Sequence, residues 1–411
     1  MNRRDFVAGA GLAAAGLIVL PPSARAAPPP SFPDWLQSRA FDDFVRAQLK
    51  SAFDPGLSLG IVYDRSLLRT EGYGWANIAA RRPMRANTLL NIASVTKTIT
   101  CTAVMQLAER GKVRLDDDVN RYLPFQVRNP AHPEVSITVR QLLTHTSSIT
   151  DGPAYQQSYA CGDPRVSLNV WLRSYLLAGG ANYDAAANFG VWQPGEQWSY
   201  SNVAFGLLGL VIETVSRCSY MDYCIRNIFR PLGMTSSRFL LAGMRPEAHA
   251  TPYTYVTDGD ASAVPLRDPR WSPPPGEMAF QVPHCLYSFA TPPDGLARTS
   301  AAELSRFLLA YMRGGMLDGY RLLRFDTVNQ ILNDQHVPFP GEGGVQGLAW
   351  VGENFPGAQG NWNHSGGDPG VTTHMMFRPS DGRGLVILAN SSNYQALAAV
   401  ASAVFGDTPV S

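Results

Sequence analysis

Lysine is nearly absent from this chain: of 34 basic residues in 411, only Lys50, Lys97 and Lys112 are lysine, and the rest are arginine. Arginine serves as a surface cation but is not deprotonated in a protein, so the few lysines deserve a search for proton chemistry. One-sided charge is missing too. The 34 basic residues face 33 acidic ones, the net charge is +1, and no basic block occurs. That balance argues against nucleic acid or an anionic membrane surface as partner. The histidines (132, 145, 249, 284, 336, 364 and 374) and the cysteines show no C-x-x-C or other metal-ligand spacing. Neither a metal nor any other cofactor is therefore implied. The apolar run from Val7 to Leu20 is shorter than the ~20 residues of a membrane-spanning helix.

That run instead has the form of an export signal. Arg3-Arg4 precede it, Pro21-Pro22 end it, and Ala24-Arg25-Ala26 offers small residues before a cleavage point. Residues 1–26 resemble a bacterial twin-arginine signal, with no stable membrane span expected after its removal. Asn2 and Val7 depart from the usual pattern, which leaves the general secretory route open. The expected location is the periplasm or the medium. Residues 27–33 form a proline-rich lead. In an exported protein, five cysteines leave at least one unpaired. Cys101 falls in an apolar helix and reads as core; pairing among Cys161, Cys218, Cys224 and Cys285 is not readable.

The chain is 45% hydrophobic overall, and its mature part reads as globular. A helix is expected from Asp34 to Lys50, then strands over Leu57–Tyr63 and Leu67–Trp75. Gly56-Leu57-Ser58-Leu59-Gly60 matches the G-x-S-x-G elbow of α/β-hydrolases, but Ser58 sits inside a strand instead of between strand and helix, so the match is coincidence. Helices are expected after Ser94 as far as Arg110, over Thr138–Thr146, near Leu168–Leu177, over Val203–Ser216 (buried all round), Met221–Phe229 and Ala301–Arg313. Residues 260–294 read as an irregular, proline-rich, substrate-facing loop. Strands return at Asn361–Ser365, Val371–Phe377 and Leu385–Asn390, before a final helix over Gln395–Phe405. The fold class is α/β of the α+β type. An antiparallel sheet built from residues 34–88 and 295–411 is flanked by N- and C-terminal helices, with a mainly helical region, 89–294, inserted.

Three segments carry chemistry. Ser94 and Lys97 in Asn91-Ile92-Ala93-Ser94-Val95-Thr96-Lys97 lie three residues apart at a helix start, so both face one side. A serine needs an adjacent base, and lysine, at an ordinary pKa of about 10.4, is a base only when its environment permits. Tyr200-Ser201-Asn202 precedes the buried helix. His364-Ser365-Gly366-Gly367 reads as a strand end running into a glycine turn. Individually these could be a capped helix, a second cap and a tight turn.

In this order the three segments resemble the β-lactamase-fold serine hydrolases: class C β-lactamases, D-alanyl-D-alanine carboxypeptidases, D-aminopeptidases and related esterases. The stretches Gln141–Ser147 and Pro231-Leu232-Gly233-Met234 extend the resemblance. It implies Ser94 as acylated nucleophile and Lys97 and Tyr200 as the two proton handlers. Asn202 would bind substrate and Lys97, His364 and Ser365 would line the substrate site, and the N–H groups of Ser94 and Gly367 would form the oxyanion hole. His364 stands where β-lactamases usually carry lysine. A histidine supplies less charge at neutral pH, which favours a D-amino-acid peptide or ester over a β-lactam as substrate. A cell-wall-peptide or β-lactam sensor and an acyltransferase remain alternatives. Oligomeric state is not readable.

Overall fold

The computed structural model describes residues 31–333, 335–337, 344–355 and 358–406. The expected export signal lies outside these residues, as does most of the proline-rich lead. Eight strands form one antiparallel sheet: β1 Gly56–Tyr63, β2 Ser66–Asn77, β3 Arg82–Pro83, β4 Val345–Gln346, β5 Val351–Phe355, β6 Ala358–Asp368, β7 Val371–Arg378 and β8 Arg383–Ala389. Their order is β4-β5-β6-β7-β8-β1-β2-β3. The two ends of the chain meet where β1 pairs with β8, Leu59 opposite Ile387.

Both faces of that central pair are covered. Leu57, Leu59, Ile61, Leu385 and Ile387 pack under helices α1 (Arg39–Ala52) and α5 (Gln395–Phe405). Val62, Val386 and Leu388 turn the other way, into the main core with α4 (Ala301–Met312). A strand buried on both faces reads as continuous hydrophobic sequence, as Leu385-Val386-Ile387-Leu388-Ala389 does. Each such side chain contributes roughly 1.5–3 kcal/mol through burial. Ser58 lies in the middle of β1, buried and paired on both sides. It has no nucleophile's exposure. The fold class is as expected, a mixed helix-and-sheet architecture with a large antiparallel sheet.

Three local expectations need correction. The first helix is two, Phe32–Leu36 and Arg39–Ala52, because Ser38 adopts an extended conformation and caps the second through the N–H of Phe41. The Thr138–Thr146 helix is only Val139–Leu143. Thr138 and Gln141 form a reciprocal capping box, but His145 takes a left-handed φ of 58° and stops the helix. The third segment does not turn at its glycines. Gly366, Gly367 and Asp368 stay in β6, paired with Thr373, Thr372 and Val371, and the turn falls at Pro369-Gly370.

Two helices are buried throughout most of their length: α2 (Thr96–Glu109) and α3 (Asn202–Ser216). The threonines of α2 tolerate this because each hydroxyl is satisfied. Thr98 donates to the Val95 carbonyl at 2.8 Å, Thr102 to that of Thr98 at 2.8 Å, and Thr100 to that of Pro293 at 2.6 Å. No single helix among the described residues is long and apolar enough to cross a membrane.

Candidate active site

Ser94 sits in a 3-10 turn, Ala93–Val95, that runs directly into α2. Ala93 has a φ of 46°, an uncommon value for a residue with a side chain. The bend is held from both sides: the N–H of Ala93 donates to Asn91 Oδ1 at 2.9 Å, and that of Ile92 to the Ala297 carbonyl at 2.9 Å. Lys97, one turn on, is 0% exposed. Its Nζ donates to Ser94 Oγ at 3.1 Å, Asn202 Oδ1 at 2.6 Å and the Asp294 carbonyl at 2.8 Å. Three partners match the three N–H bonds of an ammonium. A neutral amine would keep two of them and turn its lone pair to the serine hydroxyl.

The second segment meets the first through its side chains. Lys97 Nζ lies 4.8 Å from the centroid of the Tyr200 ring, over its face. Asp151, which sequence reasoning missed, fixes Asn202. Its carboxylate accepts the backbone N–H groups of Asn202 and Val203 at 2.9 and 3.0 Å, and Asn202 Nδ2 at 2.8 Å. An anion at the N-terminus of α3 is favourable by the helix dipole. With Nδ2 committed to Asp151, Oδ1 of Asn202 faces Lys97. Fifty-one residues separate Asp151 from Asn202, so no local spacing announces it.

His145 supports the second segment. Its Nδ1 accepts the Ser201 N–H at 3.1 Å and its ring stacks on Tyr200. Burial, reinforced by the charge of Lys97, holds it well below its usual 6.5 and therefore neutral.

In the third segment, Gly366 is where β6 crosses the Ser94 turn. A Cβ there would fall 2.7 Å from the Ile92 carbonyl oxygen and 3.0 Å from Ala93 Cβ. His364 is buried, and burial, with the nearby Lys97 charge, pushes it down to about 3. Its Nδ1 lies 2.6 Å from the Ser365 carbonyl, which only accepts, so Nδ1 carries the proton. His364 is a neutral group.

A cavity of about 180 Å³ opens beside Ser94, lined also by Asn202, Gly367, Asp294, Gly295, Asp368 and the rings of Tyr155, Tyr159 and Phe289. Of the expected substrate-binding residues it includes Asn202 and Gly367; His364 and Ser365 lie off it. The 260–294 segment contributes only its end, including Phe289 and Asp294. Its earlier part helps to line a separate cavity of about 1060 Å³ with Ile78, Arg82, Trp271 and Phe280. The larger cavity holds none of the three segments, so the chemistry assigns the site to the smaller one. A disulfide links Cys161, in the short strand Ala160–Cys161, to Cys285, just ahead of the partner strand Tyr287–Ser288; Cys101, Cys218 and Cys224 are free.

The family model described as beta-lactamase matches residues 41–404. The chain belongs to the beta-lactamase family. Among relatives of this beta-lactamase-family chain, Penicillin-binding protein 4* of Bacillus subtilis (strain 168) is 29% identical over 327 residues, 79% of this chain and 65% of its own length. Protein flp of Staphylococcus aureus (strain MRSA252) is 25% identical over 355 residues, 85% of this chain and 62% of its own. The match thus spans less than two thirds of either relative. An octameric penicillin-binding protein homologue from Pyrococcus abyssi has a similar fold, with a TM-score of 0.67 and 25% identity over 88% of this chain and 76% of that one.

Proposed function

We propose that this beta-lactamase-family chain is an exported serine hydrolase that works through an acyl-enzyme formed on Ser94. The observation that carries the reading is Lys97 Nζ, buried and bridging Ser94 Oγ at 3.1 Å and Asn202 Oδ1 at 2.6 Å. In the neutral form Lys97 takes the serine proton as Oγ attacks a carbonyl carbon. The carbonyl oxygen becomes an oxyanion held by the N–H groups of Ser94 and Gly367, a type of contact worth about 2.7–4 kcal/mol per donor. Tyr200, beside Lys97, passes a proton to the departing amine or alcohol. Water then attacks the ester and the proton transfers run in reverse. The proton that Lys97 gains from Ser94 makes good the one that Tyr200 gives to the leaving group.

The substrate is a small amide or ester, with a D-amino-acid peptide or ester favoured over a β-lactam. The support is His364: a buried neutral imidazole offers no cation to a substrate carboxylate. Export through residues 1–26 belongs to the same proposal, and the Cys161–Cys285 disulfide supports it, since such bonds persist in oxidising compartments.

The test is turnover of a panel comprising a p-nitrophenyl ester, D-alanyl peptides and a β-lactam chromophore, by wild type and Ser94→Ala. The variant should lose several orders of magnitude, toward the ~10⁶ known for nucleophile removal in a serine hydrolase. Near-normal hydrolysis by Ser94→Ala would refute the proposal.

A further inference from the structure

The Ser94 cavity has a wall that the acylation chemistry leaves unused. Asp294 is 0% exposed, yet its side chain is only half satisfied. Oδ2 accepts the Thr291 hydroxyl at 3.1 Å, while Oδ1 is buried with no hydrogen-bond partner. The Tyr155 hydroxyl is near enough to favour the ionised carboxyl without forming a well-aligned bond to it. Asp368, on the same cavity, accepts the Tyr159 hydroxyl at 2.9 Å and Asn91 Nδ2 at 3.0 Å. Aromatic faces complete the wall: Tyr159 stacks on Phe289 with centroids 4.5 Å apart, and Tyr155 stands at 90° to Tyr159.

A buried carboxyl with one unpartnered oxygen and a half-buried second carboxyl, set among electron-rich rings, match one kind of ligand group. An alkylammonium offers N–H donors to the carboxylates and positive charge to the ring faces. Building on the acyl-enzyme reading above, we infer that Asp294, Asp368, Tyr155, Tyr159 and Phe289 form a subsite for a cationic amine on the acyl portion of the substrate. The acyl side follows from the position of Tyr200. The leaving group must point toward the residue that protonates it, and Tyr200 does not line this cavity. The part retained on Ser94 therefore fills it.

The charges facing Asp294 are Lys97, Asp151 and Asp368, with Tyr155 as a fourth titratable group. Lys97 opposes an incoming cation, but its three donors are already engaged and two further carboxyls offset it. Burial raises Asp294 to about 8 and Asp368 to about 6. Both carboxyls are thus reluctant to ionise in the empty cavity, and an ammonium relieves the cost. Amine binding near neutral pH should displace a proton from Asp294.

The experiment compares D-alanine methyl ester with its N-acetyl and N-succinyl derivatives on the full chain at about pH 6.5, below the ~7.7–8.0 of a free α-amino group. Wild type should favour the free amine by about tenfold or more in kcat/KM, chiefly through KM. Asp294→Asn, and independently Asp368→Asn, should shrink that ratio severalfold. Equal rates on the three esters, a preference for the succinyl ester, or an unchanged ratio in folded variants would overturn the inference. If neither variant folds, the wild-type ratio alone decides. Hydrolysis of p-nitrophenyl acetate and fluorophosphonate labelling of Ser94 run alongside. Their absence counts against the acyl-enzyme reading, whereas their presence without amine preference counts against the subsite only.

Discussion

His145 lies face to face with Tyr200, ring centroids 4.3 Å apart and planes 26° from parallel. The same residue accepts the Ser201 N–H through ring Nδ1 and, through its backbone carbonyl, the Ser199 N–H at 2.8 Å. One residue thus holds the backbone on both sides of Tyr200 and the ring between them. Its left-handed φ aims the imidazole at that segment while ending the preceding helix.

This arrangement separates two kinds of substitution. His145→Phe retains a ring to stack on Tyr200 but leaves a buried N–H without an acceptor, a cost of about 1–3 kcal/mol. His145→Ala removes the stack as well. Melting temperature should fall in both, and kcat should fall further in Ala than in Phe, because only Ala releases the Tyr200 ring. Equal kcat in the two variants would mean that the stack does not position Tyr200.

Asp151 predicts a positioning defect of another kind. Its carboxylate holds Asn202 so that Oδ1 meets Lys97. In Asp151→Asn the uncharged amide offers fewer acceptor positions, and Asn202 is free to flip and present Nδ2 to the lysine. A misplacement of that size costs on the order of 10²-fold in rate. The loss should appear in kcat and in the rate of fluorophosphonate labelling of Ser94, with melting temperature changing little by comparison. An unaltered labelling rate would remove Asp151 from the site.

These two residues mark the limit of what the sequence discloses. Ser94, Lys97, Tyr200 and Asn202 were legible as candidates because their spacing is local: two lie one helical turn apart, and the others sit at the entry to a helix apolar on every side. The central sheet was legible because alternation and continuous apolar runs report burial directly. Asp151 and Asp294 were not, since one binds across 51 residues and the other approaches Lys97 from 197 residues away. Loop residues carry no periodicity to say where they will land. The glycine pair was misread for a related reason. Glycine signals a turn, but at Gly366 it signals a strand pressed against another backbone.

That close approach makes a sharp prediction for neighbouring glycines. A methyl at Gly366 would meet Thr373 Oγ1 at 2.4 Å and the Ile92 carbonyl oxygen at 2.7 Å, forcing β6 away from the Ser94 turn. A methyl at Gly367 would meet nothing within 4 Å, although this residue lines the cavity beside Ser94. Gly366→Ala should therefore lose about 10²-fold or more in kcat/KM, since the proposed oxyanion donors move apart. Gly367→Ala keeps its N–H and should fold like wild type. Its activity should fall less than that of Gly366→Ala. The reverse ranking, read from purified variants of verified melting temperature, would contradict this account of the strand.

Acid sensitivity follows from the histidines. Burial lowers His249 and His364 to about 3 and His284 and His374 to about 4, and His145 lies well below its usual value. Each stays neutral in the folded chain, while the unfolded chain takes up a proton at about 6.5. As pH falls through 6.5 the unfolded state binds more protons, and stability is lost progressively down toward the folded values. Four carboxyls act in the opposite sense, Glu213 among them, raised by burial. Asp294, raised to about 8, and Asp54 and Asp368, raised to about 6, contribute stability that is lost as pH rises through those values. At pH about 5 the five histidines outnumber the four carboxyls, so the balance tips toward unfolding, whereas near neutrality the two sets nearly offset each other. Melting temperature should thus be flat around pH 7 and drop steadily from about pH 6.5 to 4.5. His374→Asn, which removes one buried imidazole, should shallow that slope even if it lowers the melting temperature throughout. A melting temperature that rises on acidification over this range would show that the histidines are not held neutral by burial.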